Sequence, residues 1–303
     1  MIKRRRILFW RKKRTPVRFA ALGLSLALAG VPIAPVLPSF AAPNEPEPAT
    51  LKSETIEAYD RYVQLTDARS EEELQGKKPF LHIDALPEAQ RRAAYAQLGN
   101  EQAWIEKLQM LDNGRAIDCP HGIIHDWVAM VFIPGATLVR TLALMKDYDH
   151  HSTYYKPEVE RSKLLEHHGD DYKVYLRFRR KKIITVVLNT QFDVHYGQLD
   201  AARAYSWSRS TRIAQVDEAG TPQEHEKPVG DDGGYLWRMD TYWRFVERDG
   251  GTYVQCEVVS LTRDIPAGFR WLIGPFVNSI PRESLASLLR ATRTALLPDS
   301  VPH

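Results

Sequence analysis

The hydrophobic pattern near the C terminus predicts a long amphipathic helix over residues 280–297. Its apolar side is formed by positions that recur at helical spacing, namely Leu285, Leu288, Leu289, Thr292 and Leu296. Arg290 and Arg293 fall on the other side, and Pro281 with Ser279 before it fits a helix start. A helix with one apolar side needs a surface to cover it, and the preceding segment predicts a sheet that supplies one.

Alternation of apolar and polar residues through the second half of the chain predicts antiparallel strands. The predicted strands cover residues 125–133, 159–167, 172–180, 182–196, 204–216, 234–247 and 252–264. Between the first two, residues 136–155 carry a helical stripe that breaks near residues 147–150. The loop at residues 217–234 has the composition of an exposed tip. The order is therefore strand, helical pair, about six strands and a final helix.

The segment before this meander has a different character. Residues 51–69 and 87–98 have apolar residues at helical spacing, and we assign residues 51–116 to an N-terminal helical extension. Residues 102–111 fit either a strand or the tail of a helix. Residues 42–50 are rich in proline and glutamate, which predicts a linker that does not pack. We expect the extension to lie against the main domain or to be partly mobile.

The N-terminal 41 residues have the organisation of an export signal. A basic segment precedes an apolar run at residues 19–31, and Ser39 and Ala41 place small residues where a signal peptidase requires them. We predict cleavage after Ala41 and a periplasmic or secreted protein. An uncleaved membrane anchor is the alternative, although the apolar run is short for a membrane span.

Charge is distributed unevenly along the chain. The whole sequence has 41 basic and 38 acidic residues, a net charge of +3. Nine of the basic residues and none of the acidic ones lie within residues 1–41, which leaves 32 basic against 38 acidic residues in the remainder. Because binding of nucleic-acid phosphates needs a basic surface, this balance argues against a nucleic-acid partner.

The order of elements, with two stretches of sequence, resembles the START-like superfamily of polyketide cyclases, dehydrases and lipid-transport proteins, also called Bet v 1-like. The stretches are VFIPGATLVRTLALMKDYDHHSTYYKPEV and TYVQCEVVSLTRDIP, the latter followed by PFVNSIPRESLASLLRATRTAL. The resemblance implies an α+β helix-grip fold over residues 117–297, followed by a tail at 298–303. In that fold a curved antiparallel sheet of about six or seven strands wraps around the C-terminal helix and encloses a cavity for a hydrophobic molecule.

The sequence has no motif that specifies catalysis or a metal site. No serine lies in a nucleophile elbow. Cys119, His121 and His125 resemble half of a metal site, but no second ligand pair has recognisable spacing. We therefore predict no metal, no cofactor and no catalytic residue. Export would permit a disulfide between Cys119 and Cys256, although the apolar surroundings of Cys256 favour a free thiol.

Candidates for the cavity wall are polar and aromatic residues on the predicted strands, together with Tyr155 at the end of the helical pair and Leu289 on the final helix. We predict as ligand-binding residues His125, Tyr155, Arg209, Trp237, Trp243, Glu257 and Leu289. Aromatic neighbours of Arg209 favour an inward side chain, whereas Asn189 lies on the more polar side of its strand and is expected to face solvent. If Asn189, Arg209 and Glu257 instead point to solvent from the convex face of the sheet, alternation alone explains them.

These observations predict an exported, monomeric protein that binds a hydrophobic or amphipathic small molecule. A basic run at residues 177–182 is either a solvated turn or a patch for transient contact with a membrane. One alternative is a cyclase or aromatase that uses His125 with Glu257, or Arg209, in the same cavity. The other is a non-catalytic envelope protein that binds partners through its helical extension.

Overall fold

The computed structural model describes residues 48–181, 184–265 and 270–297. The predicted signal peptide, most of the predicted linker and the tail at 298–303 lie outside these residues. The helices are α1 (Ser53–Leu74), α2 (Glu88–Gly99), α3 (Leu138–Lys146), α4 (His151–Tyr154) and α5 (Arg270–Leu296). The strands are β1 (Ala49–Thr50), β2 (Trp104–Lys107), β3 (Leu111–Asp112), β4 (Arg115–Ala116), β5 (Gly122–Pro134), β6 (Val159–His168), β7 (Asp171–Lys181), β8 (Thr185–Gln198), β9 (Arg203–Asp217), β10 (His225–Glu226), β11 (Asp231–Asp232), β12 (Arg238–Arg248) and β13 (Gly251–Arg263).

One large antiparallel sheet organises the described part of the chain. Its strand order is β2-β5-β13-β12-β9-β8-β7-β6, and β10 pairs with β9, which makes nine strands. The sequence predicted six or seven. The two strands that the pattern missed are short: β2 lies in the segment that fitted either structure, and β10 lies in the loop predicted as an exposed tip.

Helix α5 covers one face of this sheet, where it packs mainly against β5 and β13. Its buried positions Leu285, Leu289, Thr292 and Leu296 agree with the predicted apolar stripe. The helix-grip arrangement is thus confirmed. The helix begins at Arg270, ten residues before the predicted start, and Pro281 lies inside it. Proline normally interrupts a helix, which is why the pattern placed the start there.

Helices α1 and α2 cover the opposite face. Tyr59, Tyr62 and Val63 of α1 pack in one cluster with Tyr242 and Val259 of the sheet. A second cluster joins residues of the α1–α2 connection and α2 to the sheet: Phe80, Leu81, Ile83, Ala94, Leu98, Met130, Val246 and Tyr253. The extension is therefore a third layer of the structure, and it also contributes the edge strand β2.

The start of the described chain is attached to the same body. Ala49 and Thr50 of β1 pair with Asp232 and Asp231 of β11, and the amide of Leu51 donates to the carbonyl of Gly230. The end of the predicted linker is therefore bound, contrary to the expectation that residues 42–50 do not pack. None of the described helices combines the length and apolar character that crossing a bilayer requires.

Candidate functional site

The two faces of the sheet carry different chemistry, and we call them the α5 face and the α1 face after the helices that cover them. Successive residues of a strand point to opposite faces. His125 and Asp126 on β5 are separated in this way, and so are Cys256 and Glu257 on β13. A candidate cavity between the sheet and α5 is consequently lined only by alternate residues of each strand.

The α5 face has a closed half beneath the C-terminal part of α5. Its side chains are almost completely buried and apolar: Ala129, Val131, Ile133, Phe245 and Val254. Leu289 of α5, with no exposed surface, packs in the same cluster. This half is an ordinary hydrophobic core with no room for polar recognition.

The other half of the α5 face is open. Here the apolar side chains that pack on the same cluster remain only partly buried, namely Trp127, Phe178, Met239, Val258 and Leu288. We call this region the open end. Strand register places His125 opposite Ser260 and Thr241 opposite Ser208, so polar side chains are interspersed among the apolar ones. A mixture of apolar wall and a few polar groups is typical of small-molecule sites.

His125 is the most buried polar residue of the open end, with 1% of its surface exposed. Its Nε2 lies 3.1 Å from the hydroxyl oxygen of Thr262, and that hydroxyl donates to the carbonyl of Arg263 at 3.2 Å. We assign the His125–Thr262 bond with Thr262 as acceptor, which places the imidazole proton on Nε2. Burial, with a smaller contribution from Lys107, lowers the pKa of His125 to about 4. The ring is therefore neutral near pH 7, and Nδ1 carries a lone pair.

Two buried polar atoms of the open end are unused. Within the described ranges of the chain, His125 Nδ1 and Trp127 Nε1 have no hydrogen-bond partner. Burial of an unpaired polar group costs about 1–3 kcal/mol, and native proteins rarely leave such groups unsatisfied. The hydroxyls of Ser208 and Thr241, by contrast, share one hydrogen bond at 2.7 Å. At the open end His125 Nδ1 is thus an unpaired acceptor and Trp127 Nε1 an unpaired donor.

Three other predicted ligand-binding residues also lie on the α5 side of the sheet, but in its packed core. Tyr155 is buried beneath α5, where its hydroxyl accepts from Thr292 at 3.3 Å and burial raises its pKa to about 12. Trp243 stacks on Phe245 with 6.1 Å between ring centroids. Leu289 is fully buried. These residues support the wall behind the open end, and a contact with ligand stays a prediction.

Arg209, Trp237 and Glu257 lie on the α1 face, so the expected inward orientation of Arg209 is wrong. Arg209 donates to both oxygens of Asp67 on α1, and Glu257 pairs with Arg69 of the same helix. Trp237 packs in the α1 cluster and donates to Asp232 at 3.1 Å. The aromatic neighbours of Arg209 suggested a cavity wall. However, α1 covers this face with apolar side chains just as α5 covers the other, and the sequence pattern does not distinguish the two faces.

The proposed acid–base pair of a cyclase also fails on geometry. His125 points toward α5 and Glu257 toward α1, so the sheet separates the two groups. Proton transfer requires hydrogen-bond reach or one bridging water. His125 and Glu257 therefore cannot act together on a molecule beside α5. Arg209 is also excluded, because it lies on the α1 face.

The α1 face instead holds a buried network of charges that sequence reasoning missed. Arg69 and Glu73 of α1 meet Glu257 and Arg244 of the sheet, and Tyr62 donates to Asp126 at 2.8 Å. Burial, followed by the charge of Glu257, raises the pKa of Asp126 well above its usual value. The only signal in the sequence was an Arg–Glu pair four residues apart, which is commonplace on helices.

The structure also bears on the half of a metal site that Cys119, His121 and His125 resemble in the sequence. Among the residues that the structure describes, no group of three or more histidine, cysteine, aspartate or glutamate side chains is positioned to hold a metal ion. Both cysteines are free thiols: Cys256 is buried in the core and Cys119 is half-buried. His121 faces Glu54 at 3.6 Å rather than His125.

No family model matches the chain, and no curated protein sequence matches it. Similar solved structures include a START superfamily protein from Mycobacterium smegmatis, with 13% identity, a TM-score of 0.38 and coverage of 58% of this chain and 97% of that one. A STAR-related lipid transfer protein from Xanthomonas axonopodis has 15% identity, a TM-score of 0.34 and coverage of 61% and 98%. The Zhui aromatase/cyclase from Streptomyces sp. R1128 has 12% identity, a TM-score of 0.37 and coverage of 56% and 92%.

These similarities are low, with TM-scores of 0.34–0.38 and identities of 12–15%, and they specify neither a ligand nor a reaction. The helix-grip arrangement itself is seen in this chain's own elements, a large antiparallel sheet with α5 packed across one face.

Proposed function

We propose that this chain is an exported, non-catalytic binding protein that holds a hydrophobic or amphipathic small molecule between the open end of the sheet and α5. The observation that carries the proposal is the open end itself. Partly buried apolar side chains line a face that is elsewhere closed core, and two buried polar atoms there lack partners. A bound molecule would cover the apolar surface and satisfy the polar atoms together.

The apolar wall determines the body of this molecule. Phe178, Met239 and Val258 offer hydrocarbon contact, and each buried methylene of a ligand contributes about 0.8 kcal/mol. The charges nearby offset one another: Arg180 pairs with Glu158 at 3.3 Å and with Glu283 of α5 at 3.1 Å, although its Nε has no hydrogen-bond partner among the described residues. An uncharged ligand therefore fits the site better than an ionic one.

Export, transient contact with a membrane and a monomeric state belong to the same proposal. Export is supported by the composition of residues 1–41, and membrane contact by the need of a carrier to load an apolar cargo. A monomeric state is supported by the helices α1, α2 and α5, which already cover both faces of the central strands.

The two alternatives have less support. The cyclase hypothesis has lost its acid–base pair to opposite faces of the sheet. The envelope hypothesis required the extension as a free interface, but the apolar sides of α1 and α2 are packed on the sheet of their own chain. Deleting residues 51–98 should accordingly unfold the domain rather than leave it intact without a partner.

Native mass spectrometry and lipid extraction of the protein purified from its own host test the proposal, together with displacement of an environment-sensitive dye. We expect a co-purifying neutral amphiphile and saturable dye binding. Val258→Trp, which fills the open end, should weaken dye binding at least about tenfold. Val139→Trp is the matched control, since Val139 is 79% exposed on α3. Absence of both cargo and dye binding would refute the function.

A further inference from the structure

We propose that the open end recognises a hydroxyl group of the bound molecule, with His125 Nδ1 accepting the hydroxyl proton and Trp127 Nε1 donating to the hydroxyl oxygen. This inference rests on the proposed binding function and narrows it to a class of ligand, the neutral alcohols and phenols. It follows from the direction of each hydrogen bond at the site.

The acceptor role is assigned from the contacts of Thr262. With the Thr262 hydroxyl donating to the carbonyl of Arg263, its oxygen accepts from His125 Nε2. A neutral imidazole carries one proton, so Nδ1 can only accept. This atom is buried and unpaired within the described ranges, and an ether or a ketone, which has no proton to give, leaves it unsatisfied.

The donor is fixed by chemistry, since an indole N–H only donates. Trp127 lies two residues along β5 from His125, so both side chains point to the α5 face about 7 Å apart at their Cα atoms. Val258, opposite Trp127 in the register, keeps the neighbourhood apolar. A single hydroxyl is the smallest group that accepts from one of these side chains and donates to the other.

Two matched sets of probes test the inference: 1-dodecanol, its methyl ether and dodecanoate, and 2-naphthol, 2-methoxynaphthalene and 2-naphthoate. For the wild-type protein we expect the alcohol to bind about fivefold more tightly than its ether, since one hydrogen bond contributes about 1 kcal/mol. The carboxylate should bind more weakly than the alcohol, because the Nδ1 lone pair faces its negative charge. Wild-type affinities alone decide this first comparison.

Variants then assign the preference to individual atoms. His125→Phe should weaken the alcohol about fivefold, leave the ether unchanged and so abolish the preference. Trp127→Phe should weaken alcohol and ether by similar factors, because both oxygens accept. His151→Phe is the control: His151 at the start of α4 is also buried with a lowered pKa, but its Nε2 contacts the carbonyl of Met145 on α3. It should keep the wild-type preference.

The outcomes separate this inference from the proposed function. Equal binding of alcohol and ether to the wild-type protein, tighter binding of the carboxylate, or a preference that survives His125→Phe would overturn hydroxyl recognition while leaving a binding protein. If no probe binds and the dye is not displaced, both proposals fail. Thermal melting of each variant verifies that it is folded.

Discussion

The α5 face and the α1 face of the central strands are built from the same residues taken alternately, yet they are held by different forces. Beneath α5 the contacts are apolar, with Leu285, Leu289 and Leu296 in the core cluster. Beneath α1 two apolar clusters share the face with a connected ionic group, formed by Arg69, Glu73, Glu257 and Arg244. Each face is covered, but among the described residues it is the α5 face that has an open end.

The polar groups of the two faces therefore differ in role: those on the α1 face attach a helix to the sheet, and those at the open end are available to a ligand. On the α1 face Arg69, Asp126 and Arg244 each keep one buried atom that is unpaired in the described structure, but their other polar atoms belong to a connected network that fixes where α1 lies. At the open end of the α5 face, within the described ranges, His125 Nδ1 and Trp127 Nε1 are unpaired beside a partly buried apolar wall, with no charged network around them. Unpaired polar atoms in that second setting point to a ligand.

We expect the largest loss of stability from replacing Arg244 on the α1 face. This side chain is 2% exposed and bonds the hydroxyl of Ser70 at 2.7 Å and Glu73 at 3.2 Å. Arg244→Met leaves Glu73 with reduced compensation in a buried setting, which we expect to cost about 3–5 kcal/mol. Urea denaturation of the variant and the wild-type protein measures this loss.

The matched control is Arg203→Met. Arg203 stacks on the same Phe80 ring as Arg244, at 5.8 Å against 5.4 Å, but its pair with Asp200 is half-exposed. We expect a loss of less than about 1 kcal/mol. Similar losses for both arginines would mean that the buried network does not hold α1.

The apolar face is tested by Leu289→Ala. Leu289 has no exposed surface in the core under α5, so truncation should cost about 2–5 kcal/mol of unfolding free energy. Arg290→Ala, on the exposed side of the same helix, should change stability by no more than about 0.5 kcal/mol. Thermal melting compares the two. Equal, small shifts would show that α5 is peripheral, and the contrast between the faces would disappear.

Much of this fold follows from the sequence because periodicity reports burial directly. The stripe on α5 and the long strands β5 to β9, β12 and β13 lie close to their predicted bounds. Arg293 shows the limit: its spacing placed it in solvent, but it donates to the carbonyl of Phe132 and pairs with Glu101 at 3.0 Å. Long-range partners of this kind leave no local pattern.

The candidate site was predictable only in part. His125 was selected because it sits where β5 enters the sheet, and the structure places it at the open end. Trp127 was overlooked, although it is two residues away and on the same face. Glu257 was selected for its apolar neighbours. Alternation along a strand shows which residues share a face, but it does not show which of two covered faces lies beneath α5.

The smallest expected effect concerns Asp240, which lies on the α1 face 3.5 Å from Arg209. Burial is the main cause that raises its pKa to about 7, Arg209 opposes the shift, and Asp67 adds to it. The folded protein thus keeps a proton that the unfolded chain, with a pKa near 3.8, has released. Between about pH 4 and pH 7 the contribution of Asp240 to stability is therefore lost as pH rises.

Asp240→Asn replaces the protonated acid with a neutral amide and should remove this slope. We expect the variant to match the wild-type protein near pH 4 and to exceed it by roughly 1–3 kcal/mol at pH 8. Urea denaturation at pH 4, 5.5, 7 and 8 measures the difference between the two proteins, in which the opposite titration of His125 and His151 cancels. The sign-reversed control is Asp200→Asn, because the amide of Ala202 lowers the pKa of Asp200, and its loss should destabilise the protein above pH 4. A difference between Asp240→Asn and the wild-type protein that is constant with pH would show that Asp240 is ionised in the fold, and that the α1 face binds it as an ion rather than as a neutral acid.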